Sequence, residues 1–166
     1  MSIKFYEIET HYINYISEHE IHIFNNRKNG QHNERKYIGI VLTINDMNYF
    51  APLSSFKEKH KKMPEMRDFI KIGSYAVINL NNMFPVPEGI YKYIDFDSVK
   101  DIQYRKLLFE EYRIIRSKQD IILKNAITVY NHKLKNNNSA LAKRCVDFKK
   151  LEILCKCYNE TNRKVK

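Results

Sequence analysis

Residues 37–55 read YIGIVLTINDMNYFAPLSS, and this stretch sets the architecture. Tyr37–Ile44 is an apolar, β-branched run of the kind that forms a buried strand. Asn45-Asp46 is a tight turn, and Met47–Leu53 returns as a second strand, so the pair is a hairpin. Its far end delivers two adjacent hydroxyls, Ser54 and Ser55, to a loop. Four lysines and a histidine follow at once: Lys57, Lys59, His60, Lys61 and Lys62. Hydroxyls at a strand end beside clustered cations are what a phosphodiester-handling site needs.

Outward from the hairpin, Ile3–Ile8 alternates as a strand. Thr10 caps a short helix with Tyr12, Ile13 and Ile16 at helical spacing. Asn25–Glu34 is a polar loop with a turn at Asn29-Gly30. Residues 55–66 are polar and basic, a loop or short helix. Phe69–Ile72 and Ser74–Leu80 are strands around Gly73, and Tyr91–Ile94 is another. Pro85 and Pro87 restrict MFPVPEG to an edge or an irregular extended piece. Asp101–Arg116 then carries Ile102, Leu107, Leu108, Tyr112 and Ile115 at helical spacing. Ser117 and Asp120 form a capping-box variant for a second helix, which turns Ile121, Ile122, Ala126, Val129 and Tyr130 to the core. Asn136–Ser139 is a polar break. A last helix starts near Asp147 and buries Leu151, Leu154 and Tyr158. Strands first and helices after indicate an α+β domain with an antiparallel sheet. At 166 residues and 43% apolar, 1–166 fits a single domain.

The net charge is +10, from 29 basic and 19 acidic residues, and it is uneven. Residues 1–22 carry one Lys and four Glu, whereas 133–166 carry ten Lys or Arg against three acids. A basic chain of this size suits a polyanion, nucleic acid above all. No apolar run approaches the ~20 residues of a membrane span, and no secretory signal is visible. Cys145, Cys155 and Cys157 fit no zinc spacing and read as reduced cytosolic thiols. No metal and no cofactor are expected.

The catalytic classes narrow quickly. No nucleotide-phosphate loop and no hydrolase elbow occurs. His11, His19 and His22 lie in a polar stretch with Glu18 and Glu20 and read as a solvated face rather than metal ligands. Glu110-Glu111, on a helix dense in Arg, reads as surface ion pairs. Hydroxyls and cations are left. RNA carries its own nucleophile, the 2′-OH, so a ribonuclease needs in-line geometry, proton movement and cations for the charge that builds on phosphate. Ser55 is placed to hydrogen-bond the scissile region. Lys57, two residues on in an extended segment, points to the same side. Arg35 and Lys36 open the preceding strand, and the hairpin brings Lys36 toward Ser54-Ser55. His32 is a candidate general acid or base. Ordinary turn serines beside solvated lysines are the competing explanation.

These residues resemble the toxins of type III toxin–antitoxin systems, the ToxN and AbiQ family. The likeness runs through IKFYEI, HYINYI, KYIGIVL, YFAPLSSFK, INLNNMFPVPEG, DIQYRKLLFEEYRIIR and CVDFKKLE, in order along nearly the whole chain. The resemblance implies that Ser55 is the essential serine, Ser54 its neighbouring hydroxyl, Lys57 the active-site lysine, and that Arg35 stands where a lysine is expected. It implies a strongly twisted antiparallel sheet surrounded by helices, similar to the Kid/MazF toxins. It implies metal-independent cleavage of A-rich RNA to 2′,3′-cyclic phosphate ends, with processing of, and inhibition by, a repeat antitoxin RNA pseudoknot. Toxin and RNA are expected to close into a cyclic assembly, three of each, in the cytoplasm, and free toxin to arrest growth and abort phage infection. Lys59, Lys61, Lys62, Lys143, Arg144, Lys149 and Lys150 are candidate phosphate contacts beside Lys36 and His32, and Phe56 is a candidate base-stacking residue. A non-catalytic basic RNA-binding module, or a regulator acting through protein partners, would share parts of this composition.

Overall fold

The structure, a computed structural model, describes residues 2–23 and 35–164. The hairpin forms as its sequence dictates. Strands β2 (Tyr37–Ile44) and β3 (Met47–Ser55) pair antiparallel, with Tyr37 opposite Pro52 and Ile44 opposite Met47. Asn45 and Asp46 both take positive φ, 50° and 61°, the conformation that matches a two-residue turn to the twist of its strands. The register shifts between Gly39 and Leu42. Glycine is required at the start of that irregularity, because a Cβ on Gly39 would lie 2.3 Å from the Phe50 ring.

Strand β3 is the centre of the sheet. Its other edge pairs first with β6 (Phe84–Val86), through Asn48, Tyr49 and Phe50. It then pairs with β5 (Ala76–Asn79), through Leu53, Ser54 and Ser55. Strand β4 (Phe69–Ile72) flanks β5, β1 (Lys4–Ile8) flanks β2, and β7 (Tyr91–Tyr93) closes the far edge. Every pairing is antiparallel. Pro85 sits in β6, a three-residue strand that, among the described residues, pairs only with β3, where a missing N–H is tolerated.

Helix α1 (Thr10–Ser17) follows β1 and buries Tyr12, Ile13 and Ile16, but Glu9 rather than Thr10 occupies its N-cap. A short helix α2 (Glu58–Lys62) follows β3. Helix α3 (Ile102–Ser117) is capped by Asp101, whose carboxylate accepts from the Gln103 and Tyr104 N–H groups. The anticipated capping box at Ser117 is absent. Ser117 completes α3, its hydroxyl donating to Ile114 O, and α4 (Gln119–Lys135) starts after Lys118 alone. That break is held by a tertiary contact: the Lys118 ammonium donates to Glu65 and to Lys71 O, at 2.8 and 2.9 Å. The Asn136–Ser139 break is real and launches a further short helix, α5 (Ala140–Arg144), capped by the Ser139 hydroxyl. Helix α6 (Phe148–Lys164) buries Leu151, with Leu154 and Tyr158 half-buried. Among the described residues no helix is long and apolar enough to cross a membrane.

The core is rich in aromatic rings, with Phe5, Tyr12, Tyr37, Tyr49, Phe50, Phe84 and Phe148 fully enclosed. Buried tyrosine hydroxyls need partners. Tyr12 donates to Pro85 O at 2.6 Å, which ties α1 to β6. Tyr49 and Tyr130 both donate to the buried Glu152 carboxylate, at 2.9 and 2.5 Å, and Lys149 reaches its second oxygen at 3.0 Å. Strand β3, α4 and α6 therefore meet at one carboxylate. Burial alone would raise the Glu152 pKa, but the bonds from Tyr130, Lys149 and Tyr49 outweigh it and hold the group below its usual value. A depressed carboxylate stabilises the fold above its unfolded pKa, and that contribution is lost as pH falls through the folded value. Urea unfolding should thus show stability falling once pH drops below about 4.5. Glu152→Gln should lower stability at pH 7 by about 1–3 kcal/mol and flatten the acid limb, because the amide does not titrate.

Candidate active site

The end of β3 positions the candidate residues. Ser54 lies opposite Val77 and Ser55 opposite Ala76, so both serines belong to the strand and not to a loop. The pairing continues one residue further, where the Phe56 N–H donates to Tyr75 O at 3.1 Å. Ser54 is half-buried and Ser55 is exposed. Lys57 is extended, with φ −121° and ψ 159°, so alternation returns its side chain to the Ser55 side. The hairpin brings Lys36 level with this end, since Leu53 N–H donates to Lys36 O at 3.0 Å. Arg35 lines a small cleft with Tyr37, Pro52 and Asn82. Alternation along the hairpin places that cleft on the Ser54 face, opposite Ser55.

Lys36 is not a surface cation. Its ammonium lies 2.6 Å from Glu111, and the two side chains are only 13% and 3% exposed. It also stands over the rings of Tyr104 and Phe5, at 5.1 and 5.9 Å from their centroids. This corrects the surface reading of Glu110-Glu111. Glu110 does pair with Arg113 in solvent. Glu111, however, shares the buried stripe of α3 with Leu108 and Ile115. Those positions are spaced three and four apart, and that spacing was the available signal for an inward carboxylate.

The basic run is also divided. Lys59, Lys61 and Lys62 are exposed, and Lys61 pairs with the exposed Glu58, a contact worth little. His60 is buried, at 6% exposure, with its ring against Phe56 and Phe69. Its Nδ1 accepts the Lys57 N–H at 3.0 Å. Burial first, then Lys59, Lys57 and Lys71, hold its pKa below the usual histidine value. His60 is therefore a neutral structural ring where the sequence suggested another cation. Phe56, half-buried, is partly occupied as its packing partner.

Among the C-terminal cations, Lys143 is exposed. Arg144 forks onto the buried Asp68 carboxylate, with both contacts at 3.1 Å. Lys149 is engaged with Tyr130 and Glu152, and Lys150 donates to His19 O. Their first duty is to hold α5 and α6 to the rest of the chain. His32, with the rest of the Asn25–Glu34 loop, lies outside the described residues. His22 pairs with the buried Glu20 at 2.8 Å, and His19 Nδ1 meets Tyr15 O. Among the described residues no cluster of His, Cys, Asp or Glu is assembled that would hold a metal.

The family described as toxin ToxN of type III toxin–antitoxin systems matches residues 4–156. The chain belongs to that family of toxins. The endoribonuclease ToxN of Bacillus thuringiensis subsp. kurstaki is 34% identical over 170 residues, covering 95% of this chain and 84% of the relative. The endoribonuclease AbiQ of Lactococcus lactis subsp. lactis is 28% identical over 173 residues, covering 96% and 91%. A solved type III toxin, described as selectively inhibited by a non-coding RNA pseudoknot, superposes with a TM-score of 0.82 at 30% identity, over 96% of this chain and 99% of that one. AbiQ itself, a lactococcal anti-phage endoribonuclease, superposes with a TM-score of 0.82 at 25% identity and the same coverage. Enzymatic cleavage of RNA is thus the activity class of the ToxN family to which this fold belongs.

The ion pair behind the site has a measurable signature. Lys36→Met leaves the Glu111 carboxylate buried and unpaired, and should cost about 3–5 kcal/mol. The double variant Lys36→Met with Glu111→Leu should recover most of that loss. Urea denaturation of the three proteins checks both outcomes.

Proposed function

We propose that this chain is the toxin of a type III system that cuts A-rich RNA without a metal, by attack of the RNA's own 2′-OH on the adjacent phosphorus. The observation that carries the proposal is the exposed Ser55 hydroxyl at the end of the central strand, with Lys57 returning to its side, in a chain of the ToxN family. The P–O5′ bond breaks as the O2′–P bond forms. The products are a 2′,3′-cyclic phosphate and a 5′-OH, and the proton lost from O2′ is balanced by the one gained at O5′. Ser55 orients the scissile phosphate by hydrogen bonding, and Lys57 neutralises the charge that accumulates on its oxygens. Ser54 and Arg35 lie on the opposite face of the hairpin from Ser55, and they supply a hydroxyl and a positive charge to a flanking stretch of the RNA backbone rather than to the reacting phosphate. A guanidinium stabilises charge and transfers no proton.

The exposed cations Lys59, Lys61, Lys62 and Lys143 suit phosphate contacts beyond the reacting group. By analogy with the pseudoknot-inhibited relative, the partner is a folded repeat antitoxin RNA that the toxin processes and that then blocks the site. A cyclic assembly of three toxins and three RNAs, a cytoplasmic setting, and growth arrest with abortion of phage infection complete the reading. So does a Kid/MazF type of sheet twist, with 1–166 acting as one domain around its shared core.

Purified protein incubated with a mixed-sequence RNA in EDTA tests this. Wild type should release cyclic-phosphate ends, mainly within A-rich segments. Ser55→Ala and Lys57→Ala should each slow cleavage by about a hundredfold or more, the loss expected of one oxyanion-stabilising donor. Antitoxin RNA affinity should survive in Ser55→Ala and weaken steeply with salt in all variants. Tight RNA binding with no cleavage by wild type would instead establish a binding module.

A further inference from the structure

Sheet hydrogen bonding ends one residue before Lys57. The Phe56 N–H still reaches Tyr75 O, but the Lys57 N–H turns to His60 Nδ1. The His60 N–H in turn donates to Lys57 O at 2.8 Å. One residue thus grips the Lys57 backbone at both its N–H and its C=O. The His60 ring is itself wedged between Phe56 and Phe69, with ring centroids 5.5 and 5.6 Å away. A ring nitrogen that accepts carries no proton, so the neutral imidazole bears its proton on Nε2. Protonating Nδ1 would oppose two N–H groups and open the grip. The charged groups bearing on the ring are Lys57 and Lys59 from its own segment and Lys71 from β4, all cations. Glu58 in the same helix is exposed and paired with Lys61.

We propose that His60 is a positioning residue of this site, a neutral imidazole that fixes the Lys57 backbone and through it the spacing of Ser55 and Lys57 at the scissile phosphate. It acts through Lys57 and touches no reacting atom. The inference rests on the reading of Ser55 and Lys57 as the reactive pair. It also explains why a basic run contains a buried ring: the lysines supply charge, and the ring supplies the fixed frame for the first of them. A displacement of about 1 Å at a reacting geometry is enough to cost about a hundredfold in rate.

The test uses His60→Phe, which keeps an aromatic ring between Phe56 and Phe69 but removes the acceptor, and His60→Asn, whose carbonyl oxygen replaces Nδ1 and does not titrate. Cleavage of a mixed-sequence RNA is measured from pH 5 to 8 beside wild type, Ser55→Ala and Lys57→Ala, with circular dichroism confirming the fold. His60→Phe should lose about a hundredfold in kcat with little change in KM. His60→Asn should restore most of it. Wild-type activity should fall at the acid end more steeply than that of His60→Asn. Nitrogen-15 NMR of the imidazole should show the proton on Nε2, whatever the activity. Wild-type rates in folded His60→Phe, equal loss in His60→Asn, or a proton on Nδ1 would each overturn the positioning role. Undiminished cleavage by both Ser55→Ala and Lys57→Ala would overturn the reading of the site itself, and the NMR result would still decide the tautomer.

Discussion

The register of β3 is the constraint on which the rest depends. Side chains alternate along a strand, so a slip of one residue would move Leu53 and Ser55 together to the opposite face of the sheet. The strand is prevented from slipping at both edges. On one side Pro52 and Ala51 are matched to Tyr37 and Ile38, and the short turn at Asn45-Asp46 allows no alternative length. On the other, Phe50 is matched to Phe84 and Leu53 to Ile78. The bare backbone of Gly39 admits the Phe50 ring, so a side chain there would disturb the same register. The position of Ser55 is thus set by packing several residues away.

The net charge of +10 divides into two populations with different physical roles. Lys36, Lys118, Arg144 and Lys149 are held by Glu111, Glu65, Asp68 and Glu152, three of those carboxylates being buried. Such pairs are costly to break singly, because the surviving partner is stranded, and so they favour one arrangement of α3 to α6 over others. Lys59, Lys62 and Lys143 are in solvent, where they repel one another weakly and gain little within the chain itself. A polyanion would offset that repulsion. Charge counts alone merge the two populations, and burial separates them.

Much of the fold was legible because its signals are local. The period-two runs, the Asn45-Asp46 turn, the Gly73 turn and the polar break at Asn136–Ser139 all correspond to observed boundaries within a residue or two. The failures share one cause, a tertiary partner that local spacing does not name. Ser117 has the residue type of a cap, yet the break between α3 and α4 is held by Lys118 reaching Glu65 and Lys71. Glu111 has the residue type of a surface acid, yet it answers a lysine 75 positions earlier. His60 has the company of a cation, yet the two flanking phenylalanines make it part of the interior.

The candidate site was legible as a neighbourhood rather than as a mechanism, for a chemical reason. When the substrate brings its own nucleophile, the protein is not required to build an activated serine, a metal cage or a phosphate-binding loop. It has to hold a phosphate in line, move a proton from O2′ to O5′ and oppose the charge that builds, and a hydroxyl with a lysine two residues later in extended chain suits the first and last of these. Such a pair is common in unrelated turns, so its type and spacing carry little information by themselves. The information lies in what makes the pair rigid: a central strand paired with β2 as far as Pro52 and with β5 as far as Ser55, one more sheet bond at Phe56, and a histidine closing on Lys57 where the sheet ends. Those supports are distributed through the whole chain, and for that reason the likeness to the ToxN family runs from β1 to α6 and not through a single motif.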